Sequence, residues 1–209
     1  MDRIEAVLFD WGGVLIDDPA PGLMAFCARA LGVSMGDYTR THNRHGEPFQ
    51  KGLIEEATFW QRVCGDLKRP EPNVASLWGQ ALQAVHSPRN DVLDLVRQLR
   101  KGGYKTAILS NAEAAAKKLS RQPRYRVFDL IVLSCEVGTS KPEREIYEIT
   151  ARKLETPPER CVFIDDRPEF VDGAAAVGMK AILYRDLAQL RRDLQKVGVS
   201  APGEPDPGE

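Results

Sequence analysis

The chain has 209 residues, with 29 Lys and Arg set against 30 Asp and Glu, and a formal net charge of -1. No run of like charge supplies the footprint that nucleic acid or an anionic membrane requires, so a small neutral or anionic ligand is the better match. The first residues lack the basic segment and apolar stretch of a secretory signal, and no apolar run reaches membrane-spanning length; the expectation is a soluble, cytoplasmic protein.

In chain order, Ala6-Val7-Leu8-Phe9 is a short continuous apolar run ending at Asp10 and a Gly pair, the pattern of a strand buried on both faces. Residues 17–87 then show helical periodicity with no strand signal. Leu23, Phe26, Cys27, Ala30 and Leu31 form one stripe, Phe59, Trp60, Val63, Cys64 and Leu67 a second, and Val74, Leu77, Trp78, Ala81, Leu82 and Val85 a third. Between the first two, the polar stretch from Arg40 to Lys51 reads equally as a solvated helix end and loop or as a substrate-contacting surface. His42 and His45 lack the spaced partners of a zinc site.

Ser87-Pro88 has the form of an N-cap followed by a helix-initiating proline, with Val92, Leu95, Val96 and Leu99 on one face and Gly102-Gly103 as the stop. Strand runs recur at Tyr104–Leu109, Leu130–Leu133, Cys161–Ile164 and Ala181–Tyr184, with helices expected from Pro142 and after Pro168. This alternation predicts an α/β fold, a Rossmann-like parallel sheet core flanked by helices (residues 1–16 and 88–198) with an inserted all-helical cap (17–87). Residues 199–209, rich in Pro, Gly and acid, read as a disordered tail. Cys27, Cys64, Cys135 and Cys161 are widely spaced and set among apolar residues, which predicts reduced thiols.

Polar residues collect where the strands finish. Asp10, Ser110-Asn111, Lys141-Pro142 and Asp165-Asp166 together make a phosphate and metal inventory: carboxylates are the hard ligands magnesium takes, lysine and hydroxyl hold phosphate oxygens, and an aspartate can attack phosphorus itself. Each residue alone would serve as a turn former or helix start; their joint appearance at the ends of strands in one sheet is what points to a site. Three converging carboxylates need a cation or shifted protonation to coexist.

These segments resemble the motifs of the haloacid dehalogenase superfamily. The first is Val7-Leu8-Phe9-Asp10-Trp11-Gly12-Gly13-Val14-Leu15, the second Ile108-Leu109-Ser110-Asn111, the third Ser140-Lys141-Pro142-Glu143 and the fourth Val162-Phe163-Ile164-Asp165-Asp166, running on to Gly173 and Gly178-Met179. The helical insert after the first motif resembles the small-cap subclass, which includes sugar-phosphate phosphatases and the N-terminal phosphatase domain of soluble epoxide hydrolases. The resemblance implies a magnesium-dependent phosphatase acting on a small phosphorylated metabolite. Asp10 would be nucleophile and metal ligand; Ser110, Asn111 and Lys141 would hold the phosphoryl group; Asp165, Asp166 and the Gly12 carbonyl would complete the metal site.

The sequence departs from the phosphatase pattern at Gly12, where the family usually carries an aspartate that serves as general acid and base. A glycine there is expected to leave room for a water or for a carboxylate from Asp17-Asp18. Two other readings stay open: a 2-haloacid dehalogenase, whose halide leaving group needs no acid, and a non-catalytic phospholigand-binding or interaction module. The retained nucleophile, lysine and acidic pair weigh against the last, and the acidic pair against the dehalogenase.

Overall fold

The computed structural model describes residues 3–200. Strands β1 (Ala6–Phe9), β2 (Lys105–Ser110), β3 (Leu130–Leu133), β4 (Cys161–Asp165) and β5 (Lys180–Leu183) form one sheet in the order β3-β2-β1-β4-β5. Every pairing is parallel. The central strand β1 is buried along its whole length, which is why it is written without polar alternation.

Alternate side chains divide between two cores. Val7, Phe9, Ile108, Val162 and Ile164 face one, where helices α5 (Asn90–Lys101) and α10 (Leu187–Lys196) pack with Val92, Leu95, Leu190 and Leu194. Ala6, Leu8, Leu109 and Phe163 face the other, covered by α8 (Arg144–Lys153) and α9 (Pro168–Ala176) through Ile146, Tyr147, Phe170 and Ala174. The result is a three-layer sandwich in which period-two strands meet period-3.6 helices on both sides. Two short helices, α6 (Ala116–Ser120) and α7 (Ser134–Val137), follow β2 and β3.

Four helices occupy the stretch between β1 and α5: α1 (Ala20–Ala30), α2 (Met35–Gln50), α3 (Glu56–Leu67) and α4 (Leu77–Val85). Their interior is aromatic. The Phe49 and Phe59 rings stack at 4.5 Å, Tyr38 lies over Trp60 at 6.3 Å, and Trp78 meets Phe59 edge-on at 6.0 Å. The chain enters and leaves this insert side by side: Asp17 N–H donates to Ser87 O and Arg89 N–H to Leu15 O, each at 2.9 Å.

Several local expectations need correction. Arg40–Lys51 is not a loop; it lies almost wholly within α2, capped by Ser34, whose Oγ accepts the Asp37 N–H at 3.0 Å. Val74 precedes α4 and is 46% exposed, and Ala30 is exposed where Ala28 is buried. Ser87-Pro88 does not start α5, because both residues are spent on the paired crossing: Ser87 O accepts from Asp17, and Pro88 bridges Ile16. Helix α8 begins at Arg144 rather than Pro142, since Ser140 to Glu143 is a turn closed by Glu143 N–H donating to Ser140 O at 2.8 Å. Val199 is buried in the first core and does not belong to a tail; residues 201–209 lie outside the described residues.

Candidate active site

Parallel register sets the site. Phe9 stands beside Ile108 on one flank and Ile164 on the other, so Asp10, one residue past β1, is flanked by the carboxyl ends of β2 and β4. Ser110 closes β2 and Asp165 closes β4, with Asp166 next in the chain. The backbone holds Asp10 in place twice over: its N–H donates to Ile164 O at 2.8 Å, and its Oδ1 accepts the Trp11 N–H at 2.7 Å.

Lys141 reaches this point from the turn after α7. Its side chain is fully buried, and its Nζ lies 2.9 Å from Asp10 Oδ1 and 2.6 Å from Asp165 Oδ2. Its stem and ammonium run against Phe170 and Phe163, with Nζ 4.8 Å and 5.3 Å from the ring centroids. Asn111 fixes the backbone of this lysine from both sides. Its Nδ2 donates to Lys141 O at 2.9 Å, and its Oδ1 accepts the Lys141 N–H at 2.8 Å, leaving one Asn111 N–H for a ligand.

One carboxylate oxygen from each of Asp10, Asp165 and Asp166 lies within 4.8 Å of the others. Burial, then the neighbouring Asp10 charge, pushes the Asp165 carboxyl up to about 7 against the pull of Lys141. The same two causes, in the same order, push Asp166 upward. Three carboxylates with one ammonium leave negative charge uncompensated in a poorly solvated place, and a divalent cation relieves it. The donor set is all oxygen, which suits a hard ion such as magnesium rather than a thiophilic one.

Two glycines shape this end. Gly13 has φ +78°, and a Cβ there would stand 2.1 Å from Asp166 Oδ2, so the second acidic residue packs directly on its Cα. Gly12 has no such conformational demand, yet a Cβ there would lie 3.1 Å from Pro19 Cδ. The space expected beside Gly12 is therefore narrow. Of the two nearby acids, Asp17 is turned away into an ion pair with Arg89 at 2.9 Å, and Asp18 borders the cavity.

A cavity of about 730 Å³ opens over the strand ends, with Asp10, Ser110 and Lys141 on its floor and Leu23, His42 and Trp78 of the insert on its walls. Sequence reasoning missed three residues here. Arg89 ties the first motif to the insert crossing by donating to Gly13 O at 2.8 Å and Asp17 Oδ1 at 2.9 Å. Phe170 forms the flat apolar seat of Lys141. Glu113, three residues past Ser110, is a buried carboxyl on the cavity wall that accepts Trp78 Nε1–H at 2.8 Å. Only Glu113 carried a signal, an acid at a strand end following a recognisable motif. The four cysteines are free, three of them buried and Cys135 partly so. No helix among the described residues is long and apolar enough to cross a membrane.

The model of the haloacid dehalogenase-like hydrolases matches residues 4–178. The chain is 30% identical to rat bifunctional epoxide hydrolase 2 over 155 residues, covering 70% of this chain and 27% of the relative. It is 27% identical to the sesquiterpene phosphatase astK of Aspergillus oryzae over 186 residues, 87% of this chain and 90% of that one. The chain thus spans about a quarter of the epoxide hydrolase and most of the phosphatase. Among solved structures, a family enzyme from Bacteroides thetaiotaomicron in complex with magnesium and inorganic phosphate shares the fold, with a TM-score of 0.72, 23% identity, and coverage of 90% of this chain and 98% of that one.

Proposed function

Because the chain belongs to the haloacid dehalogenase-like hydrolases, we propose that it is a magnesium-dependent phosphatase that releases phosphate from a small phosphorylated metabolite through Asp10. The observation that carries this reading is the buried Lys141 bridging Asp10 and Asp165 while Asp166 completes a three-carboxylate cluster within 4.8 Å. The likeness to the phosphatase astK, matched over 90% of its length, supports the same reading. The free cysteines suit a reducing compartment such as the cytoplasm.

In this reading Asp10, Asp165, Asp166 and the Gly12 carbonyl would hold magnesium, which when bound neutralises charge on the phosphoryl oxygens. Ser110 and the remaining Asn111 N–H receive the phosphoryl group, and Lys141 offsets its negative charge from a side chain that cannot swing away. A carboxylate oxygen of Asp10 attacks phosphorus; the ester P–O bond breaks, and the leaving oxygen departs with its electron pair and is protonated by water. Water then attacks the aspartyl-phosphate at phosphorus, returning Asp10 to its carboxylate and releasing phosphate. Asn111 positions Lys141 through the backbone, so its removal acts on the lysine as much as on the substrate. Position 12 offers no carboxyl, so leaving groups that depart as stable oxyanions are favoured.

Phosphate release from an aryl phosphate, followed with and without magnesium, tests the reading. The parent should turn over only with the metal, and Asp10→Asn, nearly identical in shape, should lose turnover by a factor of at least about 10³ while remaining folded. A folded Asp10→Asn protein that keeps a tenth of parental turnover would rule the covalent route out.

A further inference from the structure

We propose that Glu113 is a specificity-determining residue of this same site, reading hydroxyl groups on the leaving group at the end of the cavity away from Asp10. This rests on the phosphatase reading. The mechanism leaves Glu113 unused, yet it is a carboxyl only 7% exposed, and buried acids are rare unless something engages them. Its Oε2 accepts Trp78 Nε1–H at 2.8 Å, and the Gln50 side chain is within hydrogen-bonding reach. An ionised carboxylate has about four acceptor positions, so its own backbone N–H, Trp78 and Gln50 leave it room for one further donor on the cavity side.

Electrostatics decides which part of the substrate meets Glu113. The charged neighbour it feels most is Glu56 of α3, while Asp166 feels Asp10, Asp18 and Lys141. Its side chain is bonded to Trp78 of the insert, whereas Asp10 is paired with Lys141 and held by the backbone of β4. A phosphate dianion placed against the Glu113 carboxylate would meet like charge, whereas the buried Lys141 ammonium beside Asp10 is ready for it. What remains for Glu113 is the leaving group.

The surroundings narrow the chemistry further. Trp78 and His42 of the insert stack nearly parallel, 10° apart with centroids at 5.4 Å, and both border the cavity. Burial lowers the proton affinity of His42, which favours the uncharged ring. Glu113 itself is pushed up to about 7 by burial, against the hydrogen bonds from its own backbone, Trp78 and Gln50 that favour its ionised form. A carboxyl and an amide on an otherwise apolar stretch of the cavity wall suit a ring bearing several hydroxyls, whose polar edges can reach them. An all-apolar leaving group would strand the carboxyl without its extra donors.

The test compares two phosphates of equal leaving-group reactivity and similar size: a hexose 6-phosphate, which carries ring hydroxyls, and cyclohexylmethyl phosphate, which carries none. kcat/KM is measured for both, with magnesium, in the parent, in Glu113→Gln and in Glu113→Leu. The parent should prefer the hydroxylated substrate, and Glu113→Leu should cut that preference by about tenfold or more, the usual worth of one or two buried hydrogen bonds. Glu113→Gln, which can still accept from Trp78 and a hydroxyl, should retain most of the preference. Equal losses on both substrates in Glu113→Leu would show that Glu113 only braces Trp78 and would overturn the proposal. An aminoalkyl phosphate becoming the substrate most sensitive to Glu113→Leu would overturn it in favour of a cationic leaving group. Aryl phosphate hydrolysis by the parent with an unmoved preference sinks this inference alone. No hydrolysis of any phosphate sinks the phosphatase reading and this one with it.

Discussion

Gly12 is the residue where the proposed chemistry is most exposed to test, because a backbone carbonyl there can serve a metal but cannot move a proton. A carboxyl introduced by Gly12→Asp would need its Cβ to sit 3.1 Å from Pro19 Cδ, closer than ordinary contact, so the proline must yield by a few tenths of an ångström. Overpacking of this kind costs about 1–3 kcal/mol. The nearby acids do not replace the missing group cleanly. Asp17 is paired with Arg89, and hydrogen bonds from Ser87 and Arg89 lower its pKa, which leaves it without a proton to give a leaving group. Gly12→Asp should therefore raise kcat/KM for an alkyl phosphate more than for an aryl phosphate, within the roughly 10²- to 10⁴-fold that general acid catalysis supplies. Combining it with Pro19→Ala, which removes the crowding ring carbon, should enlarge the gain and recover stability. The measurement is the alkyl-to-aryl ratio in parent, single and double variants. A parent that already hydrolyses the alkyl ester as fast as the aryl one, at a chemistry-limited rate, would mean another group delivers the proton.

Helix α2 docks the insert onto the core through its C-terminal end. Ser134 Oγ donates to Gln50 O at 2.6 Å and accepts the Ala112 N–H at 2.9 Å; Lys51 forms ion pairs with Glu47 and with Glu143. Gly52 follows at φ +69°, where a Cβ would stand 2.4 Å from Cys135 O. Gly138 offers a matched comparison, with φ +76° and nothing within 4 Å. A left-handed conformation alone costs a side chain about 1–2 kcal/mol. Gly138→Ala should lose about that much in urea unfolding, and Gly52→Ala about 1–3 kcal/mol more, with a raised KM because Gln50 lines the cavity. Equal losses in the two variants would mean that the approach at Cys135 gives way freely. This element also marks where reading the sequence falls short. The strands were legible because burial on both faces leaves continuous apolar runs such as Val7-Leu8-Phe9, and their ends led to Asp10, Ser110 and Asp165; Lys141, expected at a strand end, stands instead in the turn between α7 and α8. Helix α2 was not legible, since its buried face includes Thr41 and Gly46, its polar exposed face dominates the composition, and Pro48 lies inside it. Gly46 is buried because the His42 ring lies over it, a packing relation that no apolar stripe announces. The pairings of Glu113 and Arg89 were illegible for another reason: their partners Trp78 and Asp17 lie 35 and 72 positions away in the chain, and only the fold brings them together.

At the scale of the molecule, the sheet gathers three carboxylates that begin at residue 10 and end at residue 166, and the folded state must bear their mutual repulsion. One ammonium, Lys141, is shared between Asp10 and Asp165, while Asp166 feels the like charges of both Asp10 and Asp18. The unfolded chain holds the same groups apart in water, so a cation that bridges them binds the native state selectively and stabilises it by mass action. At a magnesium concentration 100 times the dissociation constant this amounts to about 2.7 kcal/mol. For a chain of this size each kcal/mol moves Tm by about 2–4 °C, so a rise of roughly 5–10 °C is expected. Asp166→Asn is the informative variant, because it removes one ligand charge without touching the Lys141 bridge and so should remain folded. It should be as stable as the parent or more so without metal, having lost a like charge, and should show a much smaller rise with it. Calcium, larger and less demanding in geometry, and sodium at matched ionic strength separate site binding from screening. A parent whose Tm does not move at millimolar magnesium, or an Asp166→Asn protein that rises by the same amount, would show that the cluster is not a metal site, and the phosphatase reading would lose the charge compensation it depends on.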